Sequence, residues 1–147
     1  MFAGAGMVLM FSVGCQPYTD ANSCVDWVWF ENAQDQFDSA SLVVVGTPLK
    51  QDGTTQIYGH EAQAHLVTIE TVLKGDIEPG THRISSMPEA CGDAAPYPEG
   101  DPLDTDRRLL IFASTHVGNW YTMTPAHGVQ PFDQGDDLPF EITRPSP

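Results

Sequence analysis

Ser41-Leu42-Val43-Val44-Val45-Gly46-Thr47 is the stretch whose reading decides the fold. A short, continuous apolar run, rich in β-branched side chains and closed by Pro48, reads as a strand. Upstream, Glu31 to Ala40 contains no β-branched residue and sets Ala33, Phe37 and Ala40 at helical spacing, which predicts a short helix. Before it, Cys24-Val25-Asp26-Trp27-Val28-Trp29-Phe30 is an aromatic cluster, and rings of this size are expected to pack in a core. Downstream, Gln51-Asp52-Gly53 predicts a turn. Ala62 to Leu73 then alternates as a strand, with Val67, Ile69 and Leu73 on one face and Leu66, Thr68 and Glu70 on the other.

Gly75 and Pro79-Gly80 break the chain before a weaker strand over Thr81–Met87. Arg107–Ala113 is a strongly apolar strand, and Asn119–Thr124 pairs with it as a hairpin across Ser114–Gly118. Between them Pro88 to Asp106 carries four prolines and two glycines without periodicity. A loop this long inside a small domain is functional or stapled. After Pro125 the chain reads as loop, short edge strand and tail. The expected fold is mainly β: a small OB-like barrel of five to six strands with one short N-terminal helix, a single domain over residues 24–147.

Twenty Asp and Glu oppose six Lys and Arg, for a net charge of −14. Such a surface repels phosphate backbones and anionic headgroups, and no basic cluster exists to release counterions, so nucleic acid is excluded as a partner.

Residues 1–14, MFAGAGMVLMFSVG, hold no charge. As a helix they would span about 21 Å, short of a hydrocarbon core of about 30 Å and suited to the apolar region of a secretory signal. Ser12-Val13-Gly14-Cys15 resembles the lipobox of bacterial lipoproteins, with Ser12 where Leu is usual and no Lys or Arg ahead of the apolar run. That resemblance implies a signal peptide over 1–14, lipidation of Cys15, a tether over 15–23 and anchorage at the outer face of the bacterial cell membrane; plain secretion, or a buried N-terminal helix with an ordinary core cysteine, are the alternatives. Several acyl chains on one cysteine anchor stably, where a single chain is marginal.

Lipidation of Cys15 also settles the odd count of cysteines. Cys24 and Cys91 remain as a pair for an oxidising compartment. A metal site or a nucleophilic thiol competes, but there is no Cys-x-x-Cys spacing and no histidine near either cysteine in sequence.

Cys24, the helical Gln34-Asp35-Gln36-Phe37-Asp38-Ser39-Ala40 and then Leu42–Gly46 resemble the opening of the netrin-like module. This is the OB-type barrel of the tissue inhibitors of metalloproteinases. Val72-Leu73-Lys74-Gly75, Ala90-Cys91-Gly92, Leu109–Phe112 and Trp120-Tyr121 follow in the family's order, so the resemblance spans residues 24–124. In the animal inhibitors the free amine and carbonyl of an N-terminal cysteine chelate the protease's zinc. Here Cys24 follows Cys15–Ser23 and has no free amine, so that chemistry is not expected.

His60 and His65 are five apart, on opposite faces of an extended strand, which argues against a shared metal. His116 in a hairpin turn, His127 in a loop, and Asp101, Asp104 and Asp106 in the long loop are the remaining metal candidates; the acidic spacing matches no EF-hand. Nucleophile elbows, phosphate loops and zinc-protease helices are absent from the sequence. The expected function is a non-enzymatic binding domain on an envelope-anchored lipoprotein, without cofactor, whose partners are the membrane through its lipid and an extracytoplasmic protein. A metal-dependent hydrolase using the loop His and Asp residues is the first alternative. A structural envelope protein with no specific ligand is the second.

Overall fold

The computed structural model describes residues 24–142; the expected signal peptide, the lipidation site Cys15 and the tether lie outside the described residues. The elements are α1 (Ala33–Ser39), β1 (Leu42–Ile57), β2 (His60–Lys74), β3 (Gly80–Ser85), β4 (Leu109–His116), β5 (Asn119–Thr122) and β6 (Val129–Pro131). Their sheet order is β1-β2-β3-β5-β4-β6, and β1 also pairs with β4, so five strands close in a ring with β6 added on β4. Every pairing is antiparallel except β3 with β5. This is the mainly β, OB-like architecture expected from the sequence. No helix among the described residues is long and apolar enough to cross a membrane.

The continuous apolar run at the start of β1 has a simple cause: both of its faces are covered. Leu42 and Val44 join Val67, Ile69, Ile84 and Ile111 in a cluster that draws on every ring strand and fills the inside of the ring. Val43 and Val45 face outward and pack with Leu110 and Phe112 beneath Phe37, Phe132 and Phe140. Asn32 caps α1 by accepting from the Asp35 amide at 2.9 Å. At the other end Lys74 Nζ donates to the Phe37 and Asp38 carbonyls, each at 2.8 Å, where a cation suits the end of a helix.

Four expectations are corrected. Gln51-Asp52-Gly53 is no turn: β1 runs on to Ile57, and the ladder shows a register shift between Gln51 and Thr54, where Gly53 takes φ 73°. Pro48 does not end the strand either. β4 pairs with β1 only from Leu42 to Gly46, so beyond Gly46 an open edge accepts a residue without N–H. Leu73 does not share a face with Val67 and Ile69. The pairings Gly46 with Ile69 and Val45 with Thr71 leave Glu70 as an extra residue, and one extra residue reverses the alternation. Val72 therefore packs on the inner cluster and Leu73 on the outer one. The fourth correction is the aromatic cluster. Only Trp27 reaches a core, against Ile57, Ala62, Met87 and Tyr121. Val28 and Trp29 are 64% and 74% exposed.

Candidate binding face

The β1–β2 and β4–β5 hairpins each turn in two residues, Tyr58-Gly59 and Val117-Gly118. All four have positive φ (51° and 78°, 47° and 77°), the I′ form that matches strand twist and ordinarily selects Asn-Gly. A tyrosine and a β-branched valine in this conformation are outliers, each costing roughly 1 kcal/mol or more. Both side chains are nonetheless in solvent, at 52% and 86% exposure. Val117, strained, exposed and apolar, answers to no packing need, and Tyr58 leaves half of its ring in solvent.

The two tips meet. The Tyr58 ring lies 5.4 Å from His116 and 6.2 Å from Trp27, centroid to centroid. His116 in turn lies 6.3 Å from Tyr121, and Trp29 sets its ring 4.3 Å from His127, edge to face. The segment from Val25 to Phe30 thus lies along the hairpin ends. It is held there by the Cys24–Cys91 disulfide and by the Val25 amide donating to the Ala90 carbonyl at 2.8 Å. Trp27 Nε1 and His127 Nδ1 are covered, yet neither has a hydrogen-bond partner among the described residues.

The long loop is pinned by a second set of groups. His65, paired with Ile84 and so on the inner face, is 2% exposed and places Nε2 2.7 Å from Asp101 Oδ2. Asp101 Oδ1 accepts from Ser86 Oγ and from the Leu103 amide, the latter at 3.0 Å. Tyr97 Oη donates to the Ser86 carbonyl and accepts from the Gln63 amide, both at 2.8 Å. Burial by itself would raise the Asp101 carboxyl, but the hydrogen bonds from His65, Ser86 and the Leu103 amide outweigh it and hold the group below the ordinary carboxylate range. Burial pushes the Tyr97 phenol up to about 12, against the Gln63 amide, which favours the phenolate, and with help from the Asp101 charge.

This trio is not a nucleophile. A working Ser–His–carboxylate set has the imidazole between hydroxyl and carboxylate; here the carboxylate sits between Ser86 and His65, and Ser86 is fully buried. Its role is to tie the loop to the ring, with Leu103 inserted in the inner cluster.

No protein-family model matches the chain, and no curated protein matches it.

The metal candidates are dispersed. Asp101 spends both oxygens on the loop tie. Asp104 and Asp106 line a groove of about 270 Å³ with Lys50, Gln51 and His65, the last already bonded to Asp101. His116 belongs to the hairpin tips, and His127 packs on Trp29 beyond them. Among the described residues no three His, Cys, Asp or Glu side chains are grouped as a metal requires. The residues that sequence reasoning missed are Tyr58 and Val117. Only half of the usual signal was present: Gly59 and Gly118 follow them, but Tyr and Val stand where such a two-residue hairpin ordinarily has Asn or Asp.

Proposed function

We propose that the chain is a bacterial envelope lipoprotein, anchored through Cys15, whose OB-like domain acts by binding an extracytoplasmic protein at its hairpin tips. The observation that carries this reading is the pair of exposed apolar residues, Tyr58 and Val117, held at positive φ on adjoining hairpin tips, with Trp27 beside Tyr58. Strain kept in exposed positions is retained where it serves recognition. The loops between strands 1 and 2 and between strands 4 and 5 are also where OB folds commonly take ligands. The apolar residues 1–14 and the Gly14-Cys15 step support the address, and the closed Cys24–Cys91 pair suits an oxidising compartment. The resemblance to the netrin-like module belongs to the same reading: a disulfide-stapled OB-type domain that works by contact.

Two measurements test it. Intact mass from the native host should show a lipid-modified chain beginning at Cys15 with one closed disulfide; an unmodified full-length chain with three free thiols would overturn the anchor. A photo-crosslinking residue at position 58 or 117 should give a discrete protein adduct in native envelopes. The same residue at position 137, exposed just after the Asp133–Asp136 turn, should give none. No adduct from either tip would overturn the binding face.

A further inference from the structure

Three grooves run into one another beside the hairpin tips. The first, of about 230 Å³, is lined by Asp26, Trp27 and Tyr58. It shares Trp27, Val28 and Thr124 with a second of about 200 Å³, where Trp29, His127 and Glu89 are added. That one shares Glu89, Pro125 and Ala126 with a third of about 330 Å³, which holds Tyr97 and Glu99 among four prolines. Together these adjoining grooves make a trough lined by aromatic rings, prolines and carboxylates.

Among the described residues no Lys or Arg lines it. The basic residues of the described chain are committed elsewhere: Lys74 to the end of α1, Arg83 to Asp52, Arg107 to Asp133 and Arg108 to Glu70, while Lys50 lies in the groove with Asp104. Each part of the trough therefore offers aromatic surface and a carboxylate with no cation to neutralise it. Aromatic faces attract ammonium and guanidinium groups, and carboxylates pair with them. The trough is concave and acidic, which favours neither a bilayer nor a phosphate backbone.

Resting on the binding reading above, we infer that the trough takes an extended, Lys- and Arg-bearing segment of a partner protein. The side chains of such a segment lay their aliphatic stems on Trp27, Trp29 and Tyr97 and set their charges against Asp26, Glu89 and Glu99.

The test is a tryptophan-fluorescence titration of the full chain in neutral detergent with a short peptide of alternating lysine and proline. The peptide should bind, and the Asp26→Asn/Glu89→Gln variant should lose about tenfold in affinity. An Asp76→Asn/Asp137→Asn variant matches that change in net charge away from the trough and should bind unchanged. The inference is overturned if the two variants weaken binding equally, or if no lysine peptide binds. Equal or tighter binding of the glutamate counterpart peptide, a neutral chito-oligosaccharide or phosphatidylcholine vesicles overturns it too. Crosslinked partners at positions 58 and 117 without peptide binding would remove this inference alone; loss of both results would remove the proposed function as well.

Discussion

Val117 and Asp101 carry opposite signs in the stability of this domain. At Val117 the left-handed backbone (φ 47°) works against a β-branched side chain that is 86% exposed and packs on nothing that would repay it. Replacing it with Asn, which tolerates this conformation, is expected to raise unfolding stability by about 1 kcal/mol in a urea titration while weakening partner capture. Asp101 is the reverse. Val117 strains one exposed turn, whereas this carboxylate holds His65, Ser86 and the Leu103 amide together under cover. Asp101→Asn turns an NH₂ group toward one of those donors and is expected to cost about 1–3 kcal/mol. Because the folded carboxyl lies below its ordinary value of about 3.9, its contribution is complete above that pH and is lost as pH falls through the depressed value. Acid unfolding of the native chain should therefore steepen below about pH 4, and the Asn variant should lack that part of the limb.

At the scale of elements, closure of the ring rests on Gly46. It is the last residue of β1 paired on both sides, with Ile69 of β2 and Leu109 of β4. A Cβ there would lie 2.6 Å from the Thr68 carbonyl oxygen and 3.2 Å from Ile69 Cα, backbone atoms that cannot step aside. Gly46→Ala is expected to destabilise by about 1–3 kcal/mol, read from the urea midpoint at unchanged slope. The strands themselves were legible because their patterns follow burial: a continuous run where β1 is covered on both faces, alternation where β2 is covered mainly on one. What escaped were single-residue insertions. Nothing in the composition around Glu70 separates a bulge from a regular strand, yet the bulge decides which of Val72 and Leu73 faces inward. Asp52-Gly53 has turn chemistry but serves a register shift inside β1, while the real turn uses Tyr58-Gly59. The candidate face was hidden for a related reason. Trp29 and Val28 have the composition of core residues, and only the path of the chain along the hairpin ends leaves them in solvent.

At the scale of the molecule, the domain divides into a ring that holds itself together and a layer laid over its end. The inner and outer clusters of the ring contain no residue from Cys24 to Phe30. That segment meets the long loop through the disulfide, at a sequence separation of 67, and through the Val25 amide. The far part of the loop has its own attachments in Asp101, Tyr97 and Leu103, none of which needs the bridge. A Cys24→Ser/Cys91→Ser chain is therefore expected to keep its β-rich far-ultraviolet spectrum while losing about 2–5 kcal/mol of stability. Amide exchange should quicken over residues 25–30 and 89–95 and stay slow in β1, β2 and β4. The trough has one wall in each of the loosened segments, so binding at Asp26 and Glu89 should fall with it. Exchange rising evenly through the ring strands would instead mean that the bridge holds the ring itself, and the walls of the trough could not then open apart from the fold beneath them.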